Sequence, residues 1–117
     1  MFNVVARNED DHLKNLAWLY DGQAWTLAPA FDLSFAPHPS GYRQTSVMGV
    51  AQDVTRYNLL DLATGLGLSR RQATAMLEEV LEAASGVDRV LAGRGCSGPV
   101  SKRAATEVLS MVRRLES

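Results

Sequence analysis

Two short aromatic runs on either side of an Asp-Gly pair constrain this chain more tightly than any other local feature. Leu16-Ala17-Trp18-Leu19-Tyr20 and Ala24-Trp25-Thr26-Leu27-Ala28 flank Asp21-Gly22-Gln23. Glycine accepts the positive φ of a tight turn, and aromatic residues suit a pleated strand. Residues 16–28 are therefore expected to form a β-hairpin. Pro29 has no N–H to offer a ladder, so the second strand should stop before it.

Downstream the pattern is helical. Thr55 is a plausible N-cap for a helix carrying Leu59, Leu60, Leu62, Ala63 and Leu66, with Gly65 and Gly67 placed to end it. Ser69 and Gln72 have capping-box spacing. Behind them Ala73, Met76, Leu77, Val80, Leu81 and Ala84 recur at helical intervals. Gly86 is expected to interrupt that helix, and Gly93–Gly98 reads as a connector. Pro99 suits a first helical position, and Ala104, Val108, Met111, Val112 and Leu115 stripe a last helix. Residues 2–7 are too few for periodicity to separate a helix end from a strand. The fold class is mainly α (α+β): a helical bundle over about 55–116 with one small hairpin.

With 117 residues, 46% of them hydrophobic, the chain can bury one real core. Twelve Lys and Arg against thirteen Asp and Glu weigh against a dominant nucleic-acid or membrane-surface role. One cysteine, Cys96, excludes an internal disulfide and fits a reducing cytoplasm. No charged lead followed by an apolar core marks a signal peptide, and no apolar run approaches the roughly 20 residues of a membrane helix. The start on Phe2, Val4, Val5 and Ala6, with no polar lead-in, suggests a domain cut from something larger.

The chemistry lies before and after the hairpin. Asp10-Asp11-His12-Leu13-Lys14-Asn15 precedes it, and Asp32 follows it. Phosphoryl transfer needs a carboxylate to accept the proton of the attacking hydroxyl. It also needs an amide oxygen and a second carboxylate to hold magnesium against the phosphates. Protein kinases supply these as Asp-x4-Asn in a catalytic loop and an Asp beyond a short hairpin. Asp10, Asn15 and Asp32 have that order. The bland alternative is a solvated polar loop beside a structural Asp.

Phe2-Asn3-Val4-Val5-Ala6-Arg7-Asn8 with Asp10-Asp11-His12-Leu13-Lys14-Asn15 resembles the catalytic loop of the HipA family, an apolar Phe-Asn segment followed by D-x-H-x-K-N. Leu27-Ala28-Pro29-Ala30-Phe31-Asp32-Leu33 is similar to that family's L-x-P-x-Y/F-D-hydrophobic segment. Over residues 2–34 the resemblance is sharp. Beyond it, Ser46-Val47-Met48-Gly49 only approximates the S-[IL]-N-G stretch of relatives, with Met48 in place of the polar residue.

The resemblance implies a catalytic loop over 8–15, a hairpin over 16–28 and a metal-Asp segment over 29–34 within one kinase-like carboxy-terminal lobe spanning 1–117. It gives Asp10 the catalytic-base position and Asn15 and Asp32 the magnesium positions. It makes His12 and Lys14 candidates to meet a transferred or nucleotide phosphate, with a loop-structuring hydrogen bond as the alternative; Asp11 is expected to shape the loop or to stay solvated. It further implies Mg2+ and ATP as cofactors and a Ser/Thr kinase toxin of bacterial type II toxin–antitoxin systems, the class tied to persistence. Partners would be a HipB-like helix-turn-helix antitoxin and a protein substrate of translation. The family's phosphate loop and nucleotide lysine belong upstream of the catalytic loop, and only nine residues precede Asp10 here. The isolated chain is thus expected to bind ATP poorly and to need a missing amino-terminal lobe, or a separately encoded equivalent. A catalytically inactive remnant, a pure interaction module or a helix-turn-helix DNA-binding protein are the alternatives.

Gly93-Arg94-Gly95-Cys96-Ser97-Gly98 spells G-x-G-x-x-G, but a helical segment precedes it where a dinucleotide loop needs a strand. Leu59 to Glu82 has the outline of a helix-turn-helix, with Arg70 and Arg71 for phosphates and Gln72 for a base edge. Glu78, Glu79 and Glu82 on the same helix oppose DNA, so direct DNA contact is not expected.

Overall fold

The computed structural model describes residues 1–117. A single helical turn, α1 (Phe2–Val5), leads into a loop that closes with a 3-10 turn at Leu13–Asn15. The hairpin strands β1 (Trp18–Tyr20) and β2 (Trp25–Leu27) follow. A long irregular stretch then reaches α2 (Arg56–Gly65), α3 (Arg70–Ser85), α4 (Val87–Gly93) and α5 (Pro99–Glu116). The architecture is mainly α with one antiparallel ribbon, as the sequence predicts. No helix is long and apolar enough to cross a membrane.

Both capping predictions hold. The Thr55 side chain accepts from Asn58 N and the Asn58 side chain returns a bond to the Thr55 backbone; Ser69 and Gln72 do the same for α3. Gln72 Oε1 is thereby spent on the cap, accepting from Ser69 N at 2.9 Å, so the side chain cannot offer both its oxygen and its N–H to a base edge. The glycine-rich connector follows the helix α4 and no strand, which removes the phosphate-loop reading of Gly93–Gly98. Pro99 opens α5 at a position where its missing N–H costs nothing.

The core lies where α1, α2, α3 and α5 meet. Leu59, Leu77, Leu115 and Val5 are its largest fully buried side chains. On α3 the buried residues are Ala73, Leu77 and Leu81, a straight i, i+4 row. Met76, one position off that row, is half exposed, so the apolar stripe is narrower than periodicity suggests. Arg56 ties three helices together: it pairs with Glu78 and donates from Nη1 to Leu115 O at 3.0 Å.

The hairpin stands off this bundle. Its register pairs Trp18 with Leu27, Leu19 with Thr26 and Tyr20 with Trp25, and all six residues are exposed. Tyr20 and Trp25 rings lie 5.0 Å apart, and Gly22 takes φ +99° at the turn. Asp21 Oδ1 accepts from Gln23 N and Ala24 N, at 2.8 and 2.9 Å. These bonds, that from Ala24 foremost, hold the Asp21 carboxyl below its ordinary pKa.

Candidate functional site

A short cross-connection brings the polar loop and Asp32 together. Glu9 N donates to Ala36 O at 3.0 Å and Ala36 N donates to Arg7 O at 3.1 Å, an isolated parallel bridge centred on Asn8 and Ala36. The hairpin loops out between the two bridged segments. Residues 24 positions apart, Asn8 and Asp32, can therefore face one cavity. Two non-glycine residues beside the bridge hold left-handed backbone, Arg7 at φ 56° and Asp32 at φ 52°. Such backbone costs about 1–2 kcal/mol for an L-residue and concentrates at functional sites.

The cavity has a volume of about 240 Å3. Its polar lining includes Asn8, Asp11, His12, Asn15, Asp32 and Thr45, and its apolar wall comes from the hairpin base and the Pro29–Phe31 segment. Three of the five predicted site residues, His12, Asn15 and Asp32, thus border one cavity. Asp10 is not part of the lining but is tied to it. Asn15 Nδ2 donates to Asp10 O at 3.2 Å, and His12 Nε2 sits 3.8 Å from Asp10 Oδ1. The Asp10 side chain is 60% exposed, open to an incoming hydroxyl. Lys14 is exposed, makes no ion pair and does not line the cavity.

The donor set suits a hard divalent cation. Because Asn15 donates through Nδ2, its Oδ1 remains an acceptor with no donor on it. The Asp32 carboxylate is exposed and takes part in none of the ion pairs. One carboxylate and one amide oxygen are the ligand type magnesium accepts, with waters or phosphate oxygens completing its octahedron. No cluster of three or more His, Cys, Asp or Glu exists, so no all-protein metal cage is present. The buried His12 Nδ1 has no hydrogen-bond partner within the protein.

The polar loop is not the solvated segment that composition alone allows. Asn8 and Glu9 are each 2% exposed. Glu9 Oε2 accepts from His38 N at 2.7 Å, and its Oε1 pairs with Arg7 at 2.9 Å. Arg7 in turn reaches Glu107 on α5 at 3.4 Å. Asp11 is engaged as well: it pairs with the buried Arg43 and accepts from Thr45 N at 3.1 Å. Sequence reasoning did not single out Arg43, Thr45 or Glu9. They lie in or pair with the irregular stretch after Asp32, where no periodicity marks a buried residue, and their partners are about thirty positions away.

Ser46–Gly49 has a local cause for its family pattern. Val47 and Val50 exchange both backbone hydrogen bonds, and Met48 and Gly49 between them sit at φ 51° and 78°. This is a tight turn whose two central residues both need positive φ, which is why Asn-Gly is favoured there. The position of Met48 is therefore a backbone requirement of the turn.

The sequence model of one protein family, described as the HipA-like C-terminal domain, matches residues 1–87. That span holds the loop, the hairpin, Asp32, the Met48 turn, α2 and α3. No curated protein and no solved structure matches the chain.

Proposed function

This chain belongs to the HipA-like C-terminal domain family, and on that premise we propose that it is the catalytic-loop half of an ATP-dependent Ser/Thr protein kinase toxin. One observation carries the reading: Asn15 and Asp32, delivered by segments on opposite sides of the hairpin, line one cavity, and Asn15 also donates to the Asp10 backbone carbonyl. Magnesium bound there would neutralise charge on a nucleotide triphosphate. Asp10 would accept the proton of a substrate hydroxyl, and its exposure leaves room for a protein substrate. His12, beside Asp10 and lining the cavity, would donate from an Nε2–H to a phosphoryl oxygen. Lys14 would add positive charge at longer range.

Two ligands of this kind hold magnesium weakly. The reading therefore includes an amino-terminal lobe, in the same or a separate polypeptide, that grips the nucleotide. The exposed Phe2, Trp18, Trp25 and Leu27 offer apolar surface for it. The toxin–antitoxin setting, a helix-turn-helix antitoxin as restraint, a translation protein as substrate and a cytoplasmic location come with the family. Titration of ATP with magnesium into the purified chain tests the division of labour. Weak binding that Asp32→Asn weakens further is expected. Micromolar affinity in the chain alone would remove the need for a second lobe, and binding indifferent to Asp32→Asn would remove the site.

A further inference from the structure

We propose that Arg43 is a positioning residue for the candidate metal cavity, acting through a buried clamp with Asp11; this rests on the phosphoryl-transfer reading above. The Arg43 side chain is 5% exposed and that of Asp11 8%. Arg43 Nη2 meets the Asp11 carboxylate and also donates to Asn8 O at 3.0 Å, while Nη1 donates to Asn3 O at 3.4 Å. Asp11 answers with its second oxygen, which accepts from Thr45 N at 3.1 Å. Asn3, Asn8, Asp11 and Thr45 all line the cavity that holds His12, Asn15 and Asp32. Arg43 does not line it. The guanidinium thus sits behind the wall and touches four of the pieces from which the wall is made, directly or through Asp11.

Stability is a poor reason for this arrangement. A buried ion pair loses in desolvation much of what it gains in attraction, and well-packed apolar residues in its place are often as stable. Arg43 Nε is buried with no partner, and so is Asn8 Oδ1, so the network carries unmet polar groups as well. What the pair supplies and apolar groups cannot is direction. A planar fork fixes the carbonyls of Asn3 and Asn8 and the carboxylate of Asp11 at set angles. Asp10 lies between Asn8 and Asp11 in the chain, so fixing those two neighbours fixes where Asp10 O stands for Asn15.

The test separates positioning from folding. Arg43→Met alone strands a buried carboxylate and is expected to lower stability. The double variant Arg43→Met with Asp11→Leu removes both charges and should recover a cooperative fold close to wild type, seen as helical circular dichroism and an intact urea transition. Mn2+ binding, read by loss of the free-ion paramagnetic resonance signal, should nonetheless be at least tenfold weaker in the double variant. Arg43→Lys, which keeps the charge but not the fork, should fall between. A double variant that binds Mn2+ as wild type does would overturn the proposal. If wild type itself shows no Mn2+ binding, the phosphoryl-transfer reading fails, and the Asn15 side-chain amide resonance decides the clamp separately. Its displacement towards free-amide shifts in the double variant supports positioning, and an unmoved resonance overturns it. Should the double variant fail to fold, the same two readouts on Arg43→Lys decide: wild-type values overturn the proposal, displaced ones support it.

Discussion

Replacing Asp32 asks whether its carboxylate serves the fold or a ligand. Asp32 is exposed, sits at φ 52° and joins no ion pair. Its side chain therefore has little stability to give. The left-handed backbone costs an L-residue roughly 1–2 kcal/mol, and Asp, which tolerates that region, sits at the low end. Asp32→Gly removes about 1 kcal/mol of that cost but adds roughly 0.5–1 kcal/mol of unfolded-chain freedom. The two nearly cancel, so the variant should lie within about 0.5 kcal/mol of wild type. Asp32→Asn should also be near neutral. Asp32→Ala keeps the strain without the tolerance and should lose up to about 1 kcal/mol. Urea unfolding followed by helical circular dichroism measures all three. Mn2+ binding should be lost in the Gly and Ala variants and weakened in Asn, where one neutral oxygen remains. A loss of about 2 kcal/mol or more in Asp32→Gly or Asp32→Asn would refute the reasoning, because it would mean that the carboxylate holds structure.

Met48→Asn places a residue tolerant of positive φ in the turn before Gly49 and should stabilise the chain by about 0.5–1 kcal/mol; an unchanged or lower urea midpoint would count against the turn assignment. Leu77 is fully buried at the centre of α3, so Leu77→Ala should cost about 2–5 kcal/mol and leave a domain of this size marginal by thermal unfolding. The Asp21 carboxyl has its pKa depressed on folding, so its contribution to hairpin order is present above the ordinary value of 3.8 and fades as pH falls through the lower folded value. Trp18 and Trp25 side-chain resonances should follow that titration in the acid range, and Asp21→Asn, which keeps an acceptor oxygen, should abolish it.

Local signals carried most of the fold. The capping pairs Thr55–Asn58 and Ser69–Gln72 bound their helices, and Asp21-Gly22 produces the hairpin, because each depends on residues within a few positions of one another. For the site, the sequence shows the order Asp10, Asn15, Asp32 but not that Asn15 and Asp32 line one cavity. The Asn8–Ala36 bridge ties their two segments together, and no periodic pattern announces a bridge one residue long. The Arg43–Asp11 clamp is equally silent in sequence: Arg43 lies just beyond Pro37, Pro39 and Gly41, where a surface loop is the ordinary expectation. Met76 shows the limit of periodicity from the other side, since a helical stripe predicts a face and packing chooses how wide it is.

Mapping Mn2+ on the isotope-labelled chain tests the central claim most directly. Paramagnetic broadening falls steeply with distance, so the first resonances to disappear mark the ion's position. The account predicts that the Asn15 side-chain amide and the Asp32 backbone amide vanish together at the lowest Mn2+ concentrations, with the His12 ring close behind and the α2–α5 core untouched. Broadening that begins at the surface carboxylates of α3, or that strikes Asn15 and Asp32 at clearly different concentrations, would contradict it.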